Sequence, residues 1–193
     1  MILDGTASAA INTAATALQA GELVAFPTET VYGLGADAGN DTAVAKIFAA
    51  KGRPSNHPLI VHLDDEQQGA AGVAYFASDV PAFARQLMQA FWPGPLTLIL
   101  PRRADAGAAA AGGQDSIGLR CPAHPVAQAL LRACRARGVM GLAGPSANQF
   151  GRVSPTTAAH VAGEFGAQLL ILDGGACSVG IESTIVDCTR GRP

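Results

Sequence analysis

Residues 23–63 read LVAFPTETVYGLGADAGNDTAVAKIFAAKGRPSNHPLIVHL, and the order of chemistries in this stretch sets the fold class. The apolar run at 23–26 predicts a short strand, which Pro27 stops. From Thr28 to Gly39 hydroxyl residues and glycines replace core residues, which is loop chemistry directly after a strand. Asn40 or Asp41 offers an N-cap for a helix whose Ala43, Val44, Ile47 and Phe48 share a face, with Lys46 and Lys51 toward its C-terminal end. A second polar loop, KGRPSNHP at 51–58, contains two prolines and no core residue, and a strand resumes at 59–63. Strand, loop, helix, loop, strand is the building unit of an α/β sheet, and the loop after a strand is where such sheets bind ligands.

The alternation continues in both directions. Upstream, the alanine-rich segment 7–20 places Ile11 and Leu18 on one face and predicts a helix ended by Gly21. Downstream, Pro81 opens a helix through Phe91, the turn WPGP breaks it, and 96–100 reads as a buried strand. Residues 104–113, nearly all alanine and glycine, read as a mobile surface loop. A strand at 117–120 precedes a helix at 125–137 with Val126, Leu130, Leu131 and Cys134 inward and three arginines outward, and 138–143 returns as a strand. A third polar loop, GPSANQFGRVSPT, then leads to a helix at 156–165, a strand at 169–172 and a last strand in GIESTIVDCT. No internal repeat or linker interrupts the series, so one α/β domain over residues 1–193 is expected, with strand directions left open by periodicity.

Composition narrows the functional classes. A chain of 193 residues with 49% hydrophobic content buries one substantial core. Its apolar runs, such as 95–101, fall far short of the roughly 20 residues that span a bilayer. The N-terminal MILDGTASAA carries an acid where a secretory signal carries basic residues, so a cytoplasmic chain without a membrane partner is expected. Cys121, Cys134, Cys177 and Cys188 are too widely spaced for a C-x-x-C pair and lack histidines at finger spacing, which predicts reduced core thiols and no metal site. A net charge of −2 does not announce a nucleic-acid binder. Eleven of the 13 basic residues are arginine, so the loop lysine, Lys51, stands out as a compact point charge beside the arginine fork of Arg53.

Three polar loops, each after an apolar strand, carry the candidate chemistry. The second gathers Lys51, Arg53, Asn56 and His57, donors suited to a triphosphate or a small carboxylate. A solvated turn at a helix C-terminus has the same composition, because cations complement the helix dipole there, and the residues alone slightly favour that reading. The third loop presents Ser146, Asn148 and Ser154, which suit hydrogen bonds to a base, ribose or phosphate, with Gly144 and Gly151 permitting close backbone approach. A turn followed by a helix cap would also explain PSAN. The chain lacks G-x-x-x-x-G-K-[ST] and G-x-G-x-x-G, and it lacks a Ser-His-Asp, H-E-x-x-H or zinc-deaminase pattern, so any ATP is held another way and hydrolase readings lose support. His62, inside LIVHL, reads from its strand alone as a core histidine, and His124 and His160 as surface residues.

Six blocks in order, PTETVYGLG (27–35), KGRPSNHPLIVHL (51–63), FWPGPLTLIL (91–100), GLRCPAHPVA (118–127), GPSANQFGRVSPTTAAHV (144–161) and ESTIVD (182–187), resemble the threonylcarbamoyl-AMP synthase, or YrdC-like, family along nearly the whole chain. The resemblance implies a twisted, mixed parallel and antiparallel sheet flanked by helices, with an open, positively charged cavity on one side. It implies that L-threonine, bicarbonate and ATP are joined into threonylcarbamoyl-AMP with release of pyrophosphate, Mg²⁺ accompanying the ATP, for modification of tRNA next to the anticodon by a downstream threonylcarbamoyl-transferase machinery. The family's lysine, arginine, serine and asparagine set falls on Lys51, Arg53, Ser146 and Asn148. By resemblance Lys51 and Arg53 are catalytic. Arg53, His57, Thr97, Ser146, Asn148 and Ser154 hold ATP, while Thr30, Tyr32, His62, Arg120 and Ser183 line the threonine side, with Thr28 a further cavity wall. No general base is nominated.

In the family a further strand and an R-P-G arginine that contacts ATP follow the last strand; this chain stops at Pro193, and that role is not carried onto Arg192. The chain is therefore expected to be C-terminally truncated, a fragment of a longer two-domain member, as GRVSPTT suggests, or to have an incomplete nucleotide site. Two rival readings accompany the main one: a carbamoyl-adenylate-forming domain of the hydrogenase-maturation type, and a module that binds tRNA or duplex RNA through a basic cavity.

Overall fold

The computed structural model describes residues 1–191; Arg192, named above, lies outside the described residues. In chain order the elements are β1 (Ile2–Asp4), α1 (Ser8–Gln19), β2 (Val24–Phe26), β3 (Gly33–Asp37), α2 (Asp41–Lys51), β4 (Ile60–His62), α3 (Ala70–Phe76), α4 (Ala82–Phe91), β5 (Leu96–Pro101), β6 (Ser116–Arg120), α5 (Pro125–Arg135), β7 (Leu142–Ala143), α6 (Ala158–Phe165), β8 (Leu170–Asp173) and β9 (Thr184–Asp187), with a short 3₁₀ turn at Glu66–Gly69. The nine strands form one sheet in the order β1-β8-β2-β3-β7-β4-β6-β5-β9. β1/β8, β2/β8, β4/β6 and β5/β9 pair parallel, whereas β2/β3, β3/β7, β4/β7 and β5/β6 pair antiparallel. The expected mixed α/β sheet is the one observed.

Pleating divides the core. Val24 and Phe26 enter a cluster with Ile11, Leu18, Val126 and Leu130 of α1 and α5, while the intervening Ala25 joins the larger cluster around Leu34, Ile47, Val61 and Leu98. Full burial of each Leu, Ile or Phe contributes about 1.5–3 kcal/mol, so both faces of β2 are held by burial and its register is fixed. α2 begins as the sequence predicts, with Asn40 Oδ1 accepting the Ala43 N–H at 3.1 Å, and ends on Gly52 in the left-handed region at φ 63°.

Several readings of local sequence change in three dimensions. The polar stretch 28–39 contains a strand, β3, because Gly33 and Gly35 lie over the Phe26 ring; a Cβ on Gly35 would stand 2.9 Å from Phe26 Cε1 and 3.1 Å from the Val24 carbonyl oxygen. Those glycines serve strand packing beside a bulky ring. Residues 104–113 are not a simple surface loop: Ala106, Ala110 and Ala111 are buried, the Ala110 carbonyl accepts the Leu59 N–H at 2.7 Å, and Gly107 turns at φ 65° against Ile117 and Phe76. Small residues occur there because backbone abuts the core. The strand expected over 138–143 shortens to β7, and β1 and α3, which no sequence signal marked, add an edge strand and a short helix.

Candidate functional site

The middle of the sheet sets the site. β4 and β6 run parallel with His62 opposite Arg120, and β5 pairs antiparallel to β6 with Thr97 opposite the same Arg120. Three residues far apart in sequence therefore share one level of the sheet. Polar segments close over this level: 28–32 after β2, 53–60 after α2, 144–155 after β7 and 178–185 before and into β9. Tyr32 N–H donates to the Pro155 carbonyl at 2.9 Å and Ala147 N–H to the Tyr32 carbonyl at 2.8 Å, which ties the first and third loops together.

They enclose a cavity of about 250 Å³ lined by Thr28, Thr30, Val31, Gly33, Arg53, Pro58, Leu59, Ile60, His62, Arg120, Gly144, Pro145, Ser146, Glu182, Ser183 and Ile185. A larger recess of about 520 Å³ lies between α3 and α4, where Val73, Ala77 and Met88 line a surface with Gln67, Asp79 and Arg85. No residue singled out from the sequence reaches that recess. The smaller cavity, where Thr28, Thr30, Arg53, His62, Arg120, Ser146 and Ser183 meet, is the candidate site.

Arg120 is its centre. The residue is 3% exposed, Nη1 donates to Thr30 Oγ1 at 2.9 Å, and Nε reaches the Gly94 carbonyl at 3.4 Å. Its Nη2 stands 2.7 Å from Glu29 Oε1, an ion pair in which neither atom is aligned for a hydrogen bond. Thr30 Oγ1 is 2.9 Å from Thr28 Oγ1, which in turn donates to the Val31 carbonyl at 2.7 Å. Next to Arg120, His62 sits edge-on to Phe26 with centroids 5.6 Å apart. Burial and the Arg120 charge lower its pKa to about 3, a backbone hydrogen bond at Leu142 opposing only in part, so the imidazole is neutral near pH 7. His62 Nδ1 is buried without a partner, and Gly144 leaves room beside it, since a Cβ there would stand 3.0 Å from that atom. Ligand binding is a use for such an atom.

The residues expected on the nucleotide side divide by depth. Arg53 lines the cavity half-buried; Nη2 donates to the Pro58 carbonyl at 3.1 Å, and burial lowers its pKa. Ser146 also lines it. Lys51 does not: it is 3% exposed beneath the third loop, with Nζ donating to the Ser146 carbonyl at 2.5 Å and to the Asn148 carbonyl. Burial, then the Arg53 charge, lowers its pKa to about 8. An ammonium has three N–H donors, so one remains beyond these two. Asn148 is 5% exposed, donates to the Gln149 and Arg152 carbonyls at 2.9 and 2.8 Å, and leaves Oδ1 buried without a partner.

Other candidates stand one contact away. Thr97 Oγ1 lies 2.8 Å from Ser183 Oγ, so Thr97 meets the cavity through Ser183, and Ser154 Oγ donates to Glu182 Oε1 at 2.5 Å. His57 packs against Phe150 with centroids 5.8 Å apart and is not in the lining. Tyr32 is turned elsewhere: its hydroxyl donates to the Gly175 carbonyl at 2.8 Å and accepts from the Gly174 N–H at 3.2 Å beyond the end of β8, and burial raises its pKa to about 12. The structure does not bring Tyr32 to the cavity, and only its backbone bonds to Pro155 and Ala147 tie it to the loops around it. Glu29 and Glu182 escaped the sequence reading; an acid inside the hydroxyl run PTET and another just before Ser183 were the available signals. Of the two histidines expected at the surface, His160 is exposed, whereas His124 is half-buried and caps α5 by accepting the Val126 N–H at 3.2 Å.

A mixed nine-stranded α/β sheet whose loops close on a cavity with two guanidinium groups, a neutral imidazole, several hydroxyls and the Glu182 carboxylate defines a class, α/β domains with a polar cavity whose donors suit carboxylate and phosphate oxygens. Within it, the chain belongs to the Sua5/YciO/YrdC family, whose model, described as "Telomere recombination", matches residues 16–193. It is 44% identical over 184 residues to threonylcarbamoyl-AMP synthase of Pyrococcus abyssi, covering 95% of this chain and 52% of that protein, and 46% identical over 182 residues to the Bacillus subtilis protein of that name, covering 93% and 50%. The chain thus spans about half the length of these relatives. Among solved structures, P. abyssi Sua5 complexed with L-threonine superposes with a TM-score of 0.87 at 43% identity, over 94% of this chain and 51% of that one. A HypF structure shares the fold at a TM-score of 0.75 and 18% identity.

Proposed function

We propose that this chain is a threonylcarbamoyl-AMP-forming nucleotidyltransferase module that joins L-threonine, bicarbonate and ATP. The observation that carries the reading is the meeting of Arg120, His62, Thr30 and Ser183 with Arg53 and Ser146 in one cavity, in a chain more than 40% identical to relatives that bear this name. The Sua5 structure with L-threonine supports an amino-acid ligand.

In this reading the threonine carboxylate meets the free N–H groups of Arg120, and His62 Nδ1 accepts a hydrogen bond from the bound amino acid. The threonine amine attacks the bicarbonate carbon and water leaves, giving a carbamate. A carbamate oxygen then attacks the α-phosphorus of ATP, and the bond to the bridging oxygen breaks to release pyrophosphate. Both steps gather negative charge. Arg53 meets that charge from the cavity wall and the Lys51 ammonium acts on it from beneath the third loop, an arrangement in which one donor in direct contact is worth about 3–4 kcal/mol. Ser146, Asn148 and Ser154 line the path of the nucleotide, and Thr97 orients Ser183. His57, at the outer end of the second loop, is its outermost contact. Magnesium would enter with ATP as part of the substrate, where its charge would offset that of the phosphates.

The product serves modification of tRNA through a downstream threonylcarbamoyl-transferase machinery, which places the work in the cytoplasm. Among the described residues no helix is long and apolar enough to cross a membrane.

The test is pyrophosphate release from ATP with Mg²⁺ and bicarbonate, comparing L-threonine, L-serine and no amino acid, with mass detection of the adenylate. Threonine-dependent release with that product is expected, and Arg53→Ala lowers it at least ~100-fold in a folded protein. Near-normal turnover in that variant removes Arg53 from the mechanism. Salt-sensitive RNA binding without turnover would replace the reading with the RNA-binding one.

A further inference from the structure

Glu29 lies behind the cavity wall, yet it touches the group at the cavity's centre. Its side chain is 10% exposed and that of Arg120 4%, with Oε1 at 2.7 Å from Nη2. Glu29 is itself fixed: Oε2 accepts the Ala123 N–H at 3.1 Å, and its backbone carbonyl accepts the Val179 N–H at 2.8 Å. Among the described residues it is the ion-pair partner of Arg120, whose other contacts are the Thr30 hydroxyl and the 3.4 Å contact to Gly94. A guanidinium is a planar fork with five N–H donors. Hydrogen bonds at Nε and Nη1 leave N–H groups on both terminal nitrogens for a ligand, Nη2 being held beside Glu29 by charge and not by an aligned hydrogen bond. The direction of those N–H groups depends on the plane of the fork, which one neutral hydrogen bond at 2.9 Å and one long contact at 3.4 Å define less firmly alone than with a fixed anion beside them.

We propose that Glu29 is the positioning residue for Arg120, holding the guanidinium plane so that its free N–H pair meets a carboxylate in the cavity. This rests on the amino-acid-binding reading of that cavity. A second physical role makes the opposite prediction. Were Glu29 present only to temper the positive charge, its neutral isostere would strengthen attraction for an anionic ligand. Glu29→Gln preserves side-chain size and an acceptor for Ala123 N–H while leaving the buried guanidinium without its counter-charge.

The experiment is calorimetric titration of the full chain and Glu29→Gln with L-threonine and, separately, with ATP and Mg²⁺, alongside solvent exchange of the Arg120 Nε–H followed by ¹⁵N NMR. The expected result is a threonine dissociation constant raised about tenfold or more, ATP affinity within about twofold, and faster Nε–H exchange. Tighter or unchanged threonine binding by the variant overturns the proposal. If the unsubstituted chain binds no threonine, the functional reading fails, and the exchange rates alone decide: equal rates in both proteins overturn positioning. Should Glu29→Gln not fold, Glu29→Asp, which keeps the charge but draws it back by one methylene, is expected to bind threonine more weakly than the native chain, and equal affinity overturns the proposal.

Discussion

Lys51 carries its charge under constraint. Two backbone carbonyls hold its ammonium beneath the third loop, and burial brings its pKa to about 8. Deprotonation therefore falls within reach of ordinary alkaline buffers, and the sign follows directly: the cation is present below about pH 8 and lost above it. If Lys51 stabilises developing negative charge, threonine-dependent pyrophosphate release declines as pH rises through about 8, which a pH–rate profile checks. A profile flat to pH 10 would separate the lysine charge from the chemistry. Sequence made Lys51 conspicuous as one of only two lysines, but not its depth, because burial depends on the PSAN segment folding over it from almost 100 residues away. Tyr32 shows the converse. It sits in the most recognisable block of the chain, and its hydroxyl leaves the cavity for the turn after β8.

At the scale of elements, the β2–β3 hairpin is the piece on which the cavity stands. Gly35 admits the Phe26 ring, and Phe26 in turn supports His62 edge-on. Gly35→Ala forces a Cβ against both that ring and the Val24 carbonyl, so a loss of about 1–3 kcal/mol is expected, measured as a lower urea midpoint at unchanged slope. An increase in stability would show that the hairpin had slack. The same glycines explain why 28–39 looks like loop in sequence: a strand normally announces itself by side chains, and this one packs through their absence. α2 behaves oppositely. Its cap and apolar face are local, so the helix is legible from Asn40 onward, but the sequence puts Lys51 in the following loop whereas the helix runs through Lys51 to a left-handed Gly52. Asn40→Ala should cost about 1 kcal/mol by the same unfolding measurement.

At the scale of the whole molecule, His62 couples the site to acid stability. Buried and neutral in the fold, with a pKa near 3 against 6.5 when exposed, it takes up a proton in the unfolded chain first. Between pH 6.5 and 3 the unfolded state binds more protons, so this group's contribution is full above 6.5 and is lost as pH falls through that window. His62→Gln is expected to show a smaller loss of unfolding free energy from pH 7 to pH 4.5 than the native chain; equal losses would mean the imidazole is solvated in the fold.

Sequence alone determined the α/β class, most helices and strands, and three loops rich in donors, because periodicity, caps and turn residues act over a few positions. The sheet order, with β7 and β9 drawn in beside earlier strands, the opposition of His62, Thr97 and Arg120 across β4, β5 and β6, and the contact of Glu29 with Arg120 were decided only by tertiary structure. Those relations join residues tens of positions apart, where no local propensity acts and burial of the whole sheet sets the register.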